Sequence, residues 1–160
     1  MLETRPATAN DAALITAHRK AMFLAMGRTR ESVLESMSAN FTPWVTRMII
    51  EGKYTGWITE DSSQTPPRPI ASAGLMVLDW PPHPLDPTSE HRGYMLNVFV
   101  DPDYRKRGLA HSLVDRCLAE ARRRRIRVIA LHSSDAARPI YEIFGFRATN
   151  EMFYVDQEEA

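Results

Sequence analysis

Apolar and polar positions alternate from Leu2 to Arg5 and stop at Pro6, which predicts a short first strand. Thr8 followed by Asp11 reads as a helix start, with Thr8 as N-cap. Leu14, Ala17, His18, Ala21 and Ala25 then share one helical face, with Ile15, Met22 and Met26 beside it. The spacing carries this helix to about Met26, where Gly27 stops it. A second helical stretch covers Glu31 to Met37. Pro43 breaks the chain or starts a third helix, Trp44 to Glu51, closed by Gly52.

Strand signals follow. Tyr54 to Glu60 alternates, and Ile70 to Asp79 reads as its hairpin partner across the Ser- and Pro-rich loop Asp61 to Pro69. Trp80 to Gly93 is a longer loop stiffened by Pro81, Pro82, Pro84 and Pro87, a candidate wall for a binding site. Tyr94 to Val100 is apolar apart from Asn97, which predicts a central strand buried on both faces. Leu109, Leu113, Cys117 and Ala121 recur at helical spacing, as do Ala110, Val114 and Leu118, giving a helix from about Gly108 to Arg124. Arg127 to His132 reads as a strand. Ala136 to Phe144 reads as a short helix ended by Gly145, and Phe146 to Val155 as one or two final strands. This order predicts a single-domain α/β fold over residues 1–160, a mixed sheet flanked by helices with the unit 94–132 at its centre.

Composition narrows the classes. An apolar fraction of 44% fits a globular chain with a real core rather than a disordered one. Twenty basic residues offset twenty acidic ones, which argues against a dedicated nucleic-acid binder. The lone cysteine, Cys117, has no internal disulfide partner and sits on an apolar helix face, where inert packing is the expectation. No signal peptide or apolar span is legible, so no membrane association and a cytoplasmic location are expected.

The most informative stretch runs from Asn97 to Ala110. An apolar strand stops at Asp101-Pro102, and a basic turn opens directly into a helix at Gly108. Such a junction aims unpaired N–H groups and the positive end of a helix dipole at one point, where Arg105, Lys106 and Arg107 add charge. It suits a polyanion, and a nucleotide pyrophosphate fits best.

Arg105-x-x-Gly108-x-Ala110, placed after a strand, resembles the acyl-CoA-binding turn of the GNAT superfamily of N-acyltransferases, usually Arg or Gln, two residues, Gly, one residue, then Gly or Ala. Val100-Asp101-Pro102-Asp103-Tyr104 lies where that family carries a valine, a proline and an aromatic. Ala137 to Phe146 resembles its later motif, with Tyr141 followed by Gly145-Phe146, and Thr4 to Thr8 resembles the start of many members. One departure stands out: the family often has asparagine seven residues before the tyrosine, and here that position is Ser134.

The resemblance implies a GNAT-like fold with a mostly antiparallel sheet, and an N-acetyltransferase moving an acetyl group from acetyl-CoA to a primary amine in a ternary complex, without an acyl-enzyme. The pyrophosphate would rest on the N–H groups of residues 106 to 110, Arg105, Lys106, Arg107, Gly108, Leu109 and Ala110 forming the cradle, with Ser134 nearby. The pantetheine arm would run along Val98 and Val100, and a backbone N–H near Val98 would serve the oxyanion, a role worth ~3–4 kcal/mol. Tyr141 matches the family's general acid. No glutamate lies on the 94–100 strand, where some members carry a base. His132, His83, Glu90 and His91 remain candidates, or the free amine is taken from solution.

The acceptor is expected to be an amine on a small molecule, with a protein or peptide amine next. Met22, Phe23, Met26 and Phe41 line either a substrate pocket or the core. Trp44, Trp80, Asp79, Asp86 and Glu90 suggest a pocket with apolar and acidic walls. The resemblance also admits a homodimer. Two rival classes are a non-enzymatic acyl-CoA-binding sensor and a nucleic-acid module using Arg122 to Arg125 and Arg127. The arginine run reads more simply as cations stabilised by a helix C-terminus.

Overall fold

Five strands pair in sequence order, β1 (Leu2–Pro6), β2 (Tyr54–Asp61), β3 (Arg68–Asp79), β4 (His91–Val100) and β5 (Ile129–Leu131), in a computed structural model that describes residues 1–27 and 29–156. The first three pairings are antiparallel, and β4 with β5 is parallel. Helices α1 (Ala12–Met26) and α2 (Glu31–Ile50) cover one face. Helices α3 (Leu109–Arg123) and α4 (Arg138–Ile143) belong to the other. The mixed, mostly antiparallel sheet flanked by helices is the expected fold class.

Each face is closed by the periodicity read from the chain. Ala12, Ile15, Phe41 and Val45 pack on Tyr54, Met76 and Leu96. Leu113, Val114, Cys117 and Ala121 pack on Ala71, Ala73, Leu75 and Met95. Burying each such large side chain contributes roughly 1.5–3 kcal/mol. Thr8 starts a one-turn 3-10 segment, Ala9–Asp11, that leads into α1, whose own N-cap is Asp11. The Asp11 carboxylate accepts from the Thr8 backbone N–H at 2.7 Å, and the Thr8 carbonyl accepts from Asp11 N–H at 3.0 Å.

Three expectations fail, each for a physical reason. Pro43 neither breaks the chain nor starts a helix, because α2 runs continuously through it. Its missing N–H orphans the Ala39 carbonyl, on the exposed side of the helix where water can serve it, while Phe41 and Val45 anchor the flanking turns in the core. β4 is not the middle strand, a place held by β3, and it alternates between buried and half-buried positions. Phe146 to Val155 forms no strand among the described residues. β5 is only three residues long and offers little ladder to extend, so Met152, Phe153, Tyr154 and Val155 lie exposed.

Candidate active site

The junction after β4 has the predicted construction. Asp101 caps a one-turn 3-10 segment, Pro102–Tyr104, its carboxylate accepting from Asp103 N–H at 3.0 Å. Tyr104 is buried, and its hydroxyl donates to Asp61 at 2.8 Å, tying the turn to the end of β2. Lys106 and Gly108 both take left-handed backbone, φ +61° and +76°. Alternating hands in successive residues point N–H groups inward toward one spot. No backbone N–H from residue 106 to 111 finds an acceptor among the described residues. Gly108 has no side chain and nothing within 4 Å of its Cβ position, so the mouth of the turn is open.

Arg105, Lys106 and Arg107 are exposed around it. Arg105 Nε donates to the Val100 carbonyl at 3.3 Å, and the Arg107 guanidinium lies over the Tyr104 ring at 4.9 Å. Leu109 and Ala110 are half-buried at the start of α3, and no side chain caps that helix. All six residues of the predicted cradle are therefore gathered in one place, and none of Arg105, Lys106 and Arg107 forms an ion pair with a described residue.

The β4–β5 ladder pairs only Gly93 to Met95 with Ile129 to Leu131. Past Met95 the edge of β4 facing β5 has no partner strand. On the other side, the pairs Leu96–Gly74 and Phe99–Ser72 leave Asn97 and Val98 opposite the single residue Ala73. This is a β-bulge, and Asn97 carries it with φ +57°. The bulge resets side-chain alternation. Leu96 and Asn97 both face α1 and α2, while Val98 and Val100 turn into the α3 cluster. From the bulge to the basic turn, the edge of β4 that faces β5 thus has no strand partner among the described residues.

Tyr141 belongs to the same cluster as Val98, Val100, Leu109 and Leu131. It is buried, edge-on to Phe146 at 5.9 Å, and its hydroxyl makes no hydrogen bond to a described residue. Burial pushes the phenol up to about 12, with the nearby Cys117 adding a small push in the same direction. Cys117 itself is fully buried, which pushes its thiol up to about 12, so it is inert packing as expected. Ser134 caps the turn into α4: its carbonyl accepts from Ala137 and Arg138, and its Oγ from Ala137 N–H at 3.3 Å.

Tyr141 also lines a cavity of about 640 Å³ bounded by β5, the Pro-rich loop and residues 146–151. His83, His91 and His132 line it, whereas Glu90 does not. His132 stacks on Phe153 at 4.6 Å, and His91 Nε2 lies 3.7 Å from Asp79. The five-residue pocket read from sequence does not assemble. Trp80 and Asp86 line the cavity, Trp44 packs against Phe41 in the opposite core, and Asp79 points to solvent. The arginine run is partly consumed in stitching: Arg123 and Arg124 pair with Glu120, and Arg124 also donates to Gly52 O and Thr55 Oγ1.

Sequence reasoning missed a polar network on the α1–α2 side. Arg19 Nη1 donates to Asn97 Oδ1 at 2.8 Å, and Asn97 Nδ2 donates to Tyr54 Oη at 3.1 Å. His18 Nδ1 lies 2.8 Å from Ser72 Oγ, and its ring stacks on Phe99. Burial lowers the His18 pKa to about 4, against a smaller opposing pull from Asp101. The legible signal was Asn97, a lone amide in an apolar strand and a residue type that tolerates left-handed backbone.

The comparisons agree with this geometry. A profile for the acetyltransferase (GNAT) domain matches residues 88–157, from the Pro-rich loop through the C-terminal segment. A GCN5-related N-acetyltransferase from Ralstonia eutropha JMP134 is 37% identical over 98% of this chain and 99% of its own, with a TM-score of 0.90. A predicted acetyltransferase from Clostridium acetobutylicum, solved with acetyl-CoA, is 27% identical over 100% of this chain and 99% of its own, with a TM-score of 0.87. A ribosomal-protein-alanine N-acetyltransferase from Brucella melitensis shares the fold at 16% identity, covering 98% and 99% of the two chains, with a TM-score of 0.64. No curated protein sequence matches. The chain belongs to the GNAT, or GCN5-related, N-acetyltransferase family, and is an acyltransferase of that class. Among the described residues no helix is long and apolar enough to cross a membrane.

Proposed function

We propose that residues 1–160 work as one catalytic domain that transfers an acetyl group from acetyl-CoA to a primary amine by direct attack in a ternary complex. The observation that carries this reading is a continuity. The unpaired N–H groups of residues 106–111 follow directly on the β4 edge at Val98 and Val100, and Tyr141 packs in the same cluster as those two valines.

The residues present fit the donor. The N–H cradle and the Arg105 and Arg107 guanidiniums suit a pyrophosphate, since charge-assisted hydrogen bonds are about twice as strong as neutral ones. Lys106 adds charge at the same mouth. The unpaired backbone of Val98 and Val100 suits the amides of a pantetheine arm, as an added strand would. When bound, acetyl-CoA supplies an activated thioester. The bulge at Asn97 frees the Val98 N–H from the β3 ladder, leaving it to donate to an acyl oxygen as negative charge builds there.

Tyr141 acts as the proton donor to the departing sulfur. A free thiol has a pKa near 8.5, and the Tyr141 phenol stands at about 12. Complete transfer therefore costs ~5 kcal/mol, against ~2 for an ordinary phenol. The efficient role is a hydrogen bond that strengthens as charge develops, with the proton moving only as the sulfur leaves. His83, His91 and His132 face the Tyr141 cavity and are the candidates to take a proton from the acceptor, unless the amine arrives already free. Ser134, whose Oγ proton is its own to donate, lies at the start of the α4 turn as a further cofactor contact.

The acceptor is a small-molecule amine, with a protein or peptide amine as the second reading. An amine library with acetyl-CoA, followed by release of free thiol, tests the proposal. Turnover with one amine class is expected. Thiol release that never exceeds the amine-free rate across the library would contradict it.

A further inference from the structure

Arg19 is the one feature of this region that the acyl-donor slot leaves unexplained. It projects from α1 to the sheet face opposite α3, and its guanidinium is sandwiched at 4.9 Å from both the Phe23 and the Phe41 ring centroids. Of its donors only Nη1 has an acceptor, the Asn97 amide oxygen. Nε is buried with no acceptor at all, and Nη2 makes no hydrogen bond to a described residue. No carboxylate among the described residues lies within ion-pair distance of it.

Such a cation is costly. A half-buried guanidinium normally finds a carboxylate, and a buried donor without an acceptor is destabilising. Burial accordingly lowers the Arg19 pKa from its usual value. The rings and the Asn97 contact fix the guanidinium plane, so Arg19 is held rather than loosely placed. The donor that the unmet Nε–Nη2 edge leaves for a ligand is Nη2, which can give a carboxylate a charge-assisted bond; Nε beside it is shielded by protein atoms and meets a ligand only if the packing around it shifts.

Position gives the edge its meaning. Asn97 is the left-handed residue of the β4 bulge, and Val98, whose N–H faces the acyl oxygen in the reading above, is the next residue. Arg19 therefore bonds the side chain of the residue that precedes Val98, and it does so from the α1–α2 side rather than from the side of the pyrophosphate turn. A group bound there belongs to the acceptor, not to the donor.

We propose that Arg19, clamped by Phe23 and Phe41 and oriented by Asn97, binds a carboxylate of the acceptor, and that the acceptor is a compact amino acid whose amine and carboxylate are a few bonds apart. This rests on the transferase reading above and narrows its acceptor. A protein-chain amine without a nearby carboxylate would leave the guanidinium edge unmet.

The test is steady-state thiol release with common L-amino acids, each paired with the amine made by removing its carboxylate, for wild type and for Arg19→Gln and Arg19→Lys. Coenzyme A affinity and melting temperature are measured for all three as checks on folding. Wild type is expected to prefer one carboxylate-bearing member over its decarboxylated partner by at least about 10-fold in kcat/KM, mainly through KM, as the loss of a charge-assisted hydrogen bond implies. Arg19→Gln is expected to erase that preference, lowering kcat/KM for the carboxylate-bearing member far more than for its decarboxylated partner. Arg19→Lys should recover only part. Turnover with no carboxylate preference, or an Arg19→Gln loss equal for both members of the pair, overturns the inference and leaves the transferase reading standing. Failure of every amine, together with no coenzyme A binding by wild type, overturns both.

Discussion

Replacing Tyr141 by phenylalanine isolates the chemistry from the fold. The hydroxyl makes no hydrogen bond to a described residue, so its removal orphans no partner, and the ring keeps its edge contact with Phe146. Stability should therefore change by less than about 1 kcal/mol, the scale of one net hydrogen bond. The pyrophosphate turn and the β4 edge are untouched, so coenzyme A affinity should stay within about 3-fold. Turnover should not. General acid assistance is worth ~10²–10⁴-fold, and in the proposed role Tyr141 would supply it as a hydrogen bond, because burial lifts the phenol to about 12. We expect kcat to fall by ~10²-fold, followed by thiol release at saturating acetyl-CoA. The burial makes a second mark: activity should show no loss from phenol ionisation up to pH 10, where an ordinary tyrosine is half ionised. Unchanged kcat in Tyr141→Phe, or a parallel collapse of coenzyme A affinity, would refute the assignment.

Two further outcomes follow from the α1–α2 side. His18 is neutral and buried, with its pKa lowered to about 4 against an unfolded value near 6.5. Between those values the unfolded chain holds the extra proton, so stability is full above pH 6.5 and falls as pH drops toward 4. Urea denaturation should give wild type a stability about 2 kcal/mol lower at pH 5 than at pH 7 from this group, and His18→Asn should flatten that difference. Gly74→Ala would drive a Cβ into the Tyr54 hydroxyl and ring. Forcing Tyr54 aside costs about 1–3 kcal/mol, lowers the melting temperature, and disturbs the Tyr54–Asn97–Arg19 chain. It should raise the acceptor KM while leaving coenzyme A binding unchanged.

Local chemistry decided what could be read from the chain. The basic turn and α3 were legible because the signals are short-range: a helix start at Gly108, cations beside it, and Leu113, Cys117 and Ala121 at helical spacing. The continuity of α2 was not, since Pro43 is tolerated only where the carbonyl it orphans meets water and Phe41 and Val45 hold the helix to the core, which is a tertiary effect. The bulge hid for a similar reason. Asn97 signalled something unusual, but that β4 doubles two residues against Ala73 depends on register with β3. Nothing in the helical spacing of α1 singles out Arg19. Only the return of α2 with Phe41, and of β4 with Asn97, turns it into a held cation. The last segment misled in the opposite sense. Its apolar residues read as strand, yet the three-residue β5 gives them no ladder.

The central claim is that the turn from Arg105 to Ala110 grips a diphosphate-bearing ligand. Titration calorimetry with coenzyme A, on wild type and on Arg105→Glu, measures it most directly. The account predicts saturable binding that weakens as salt rises, and a loss of about 10- to 100-fold on charge reversal, the worth of a charge-assisted hydrogen bond. No heat at millimolar coenzyme A, or equal affinity in the two proteins, would contradict it.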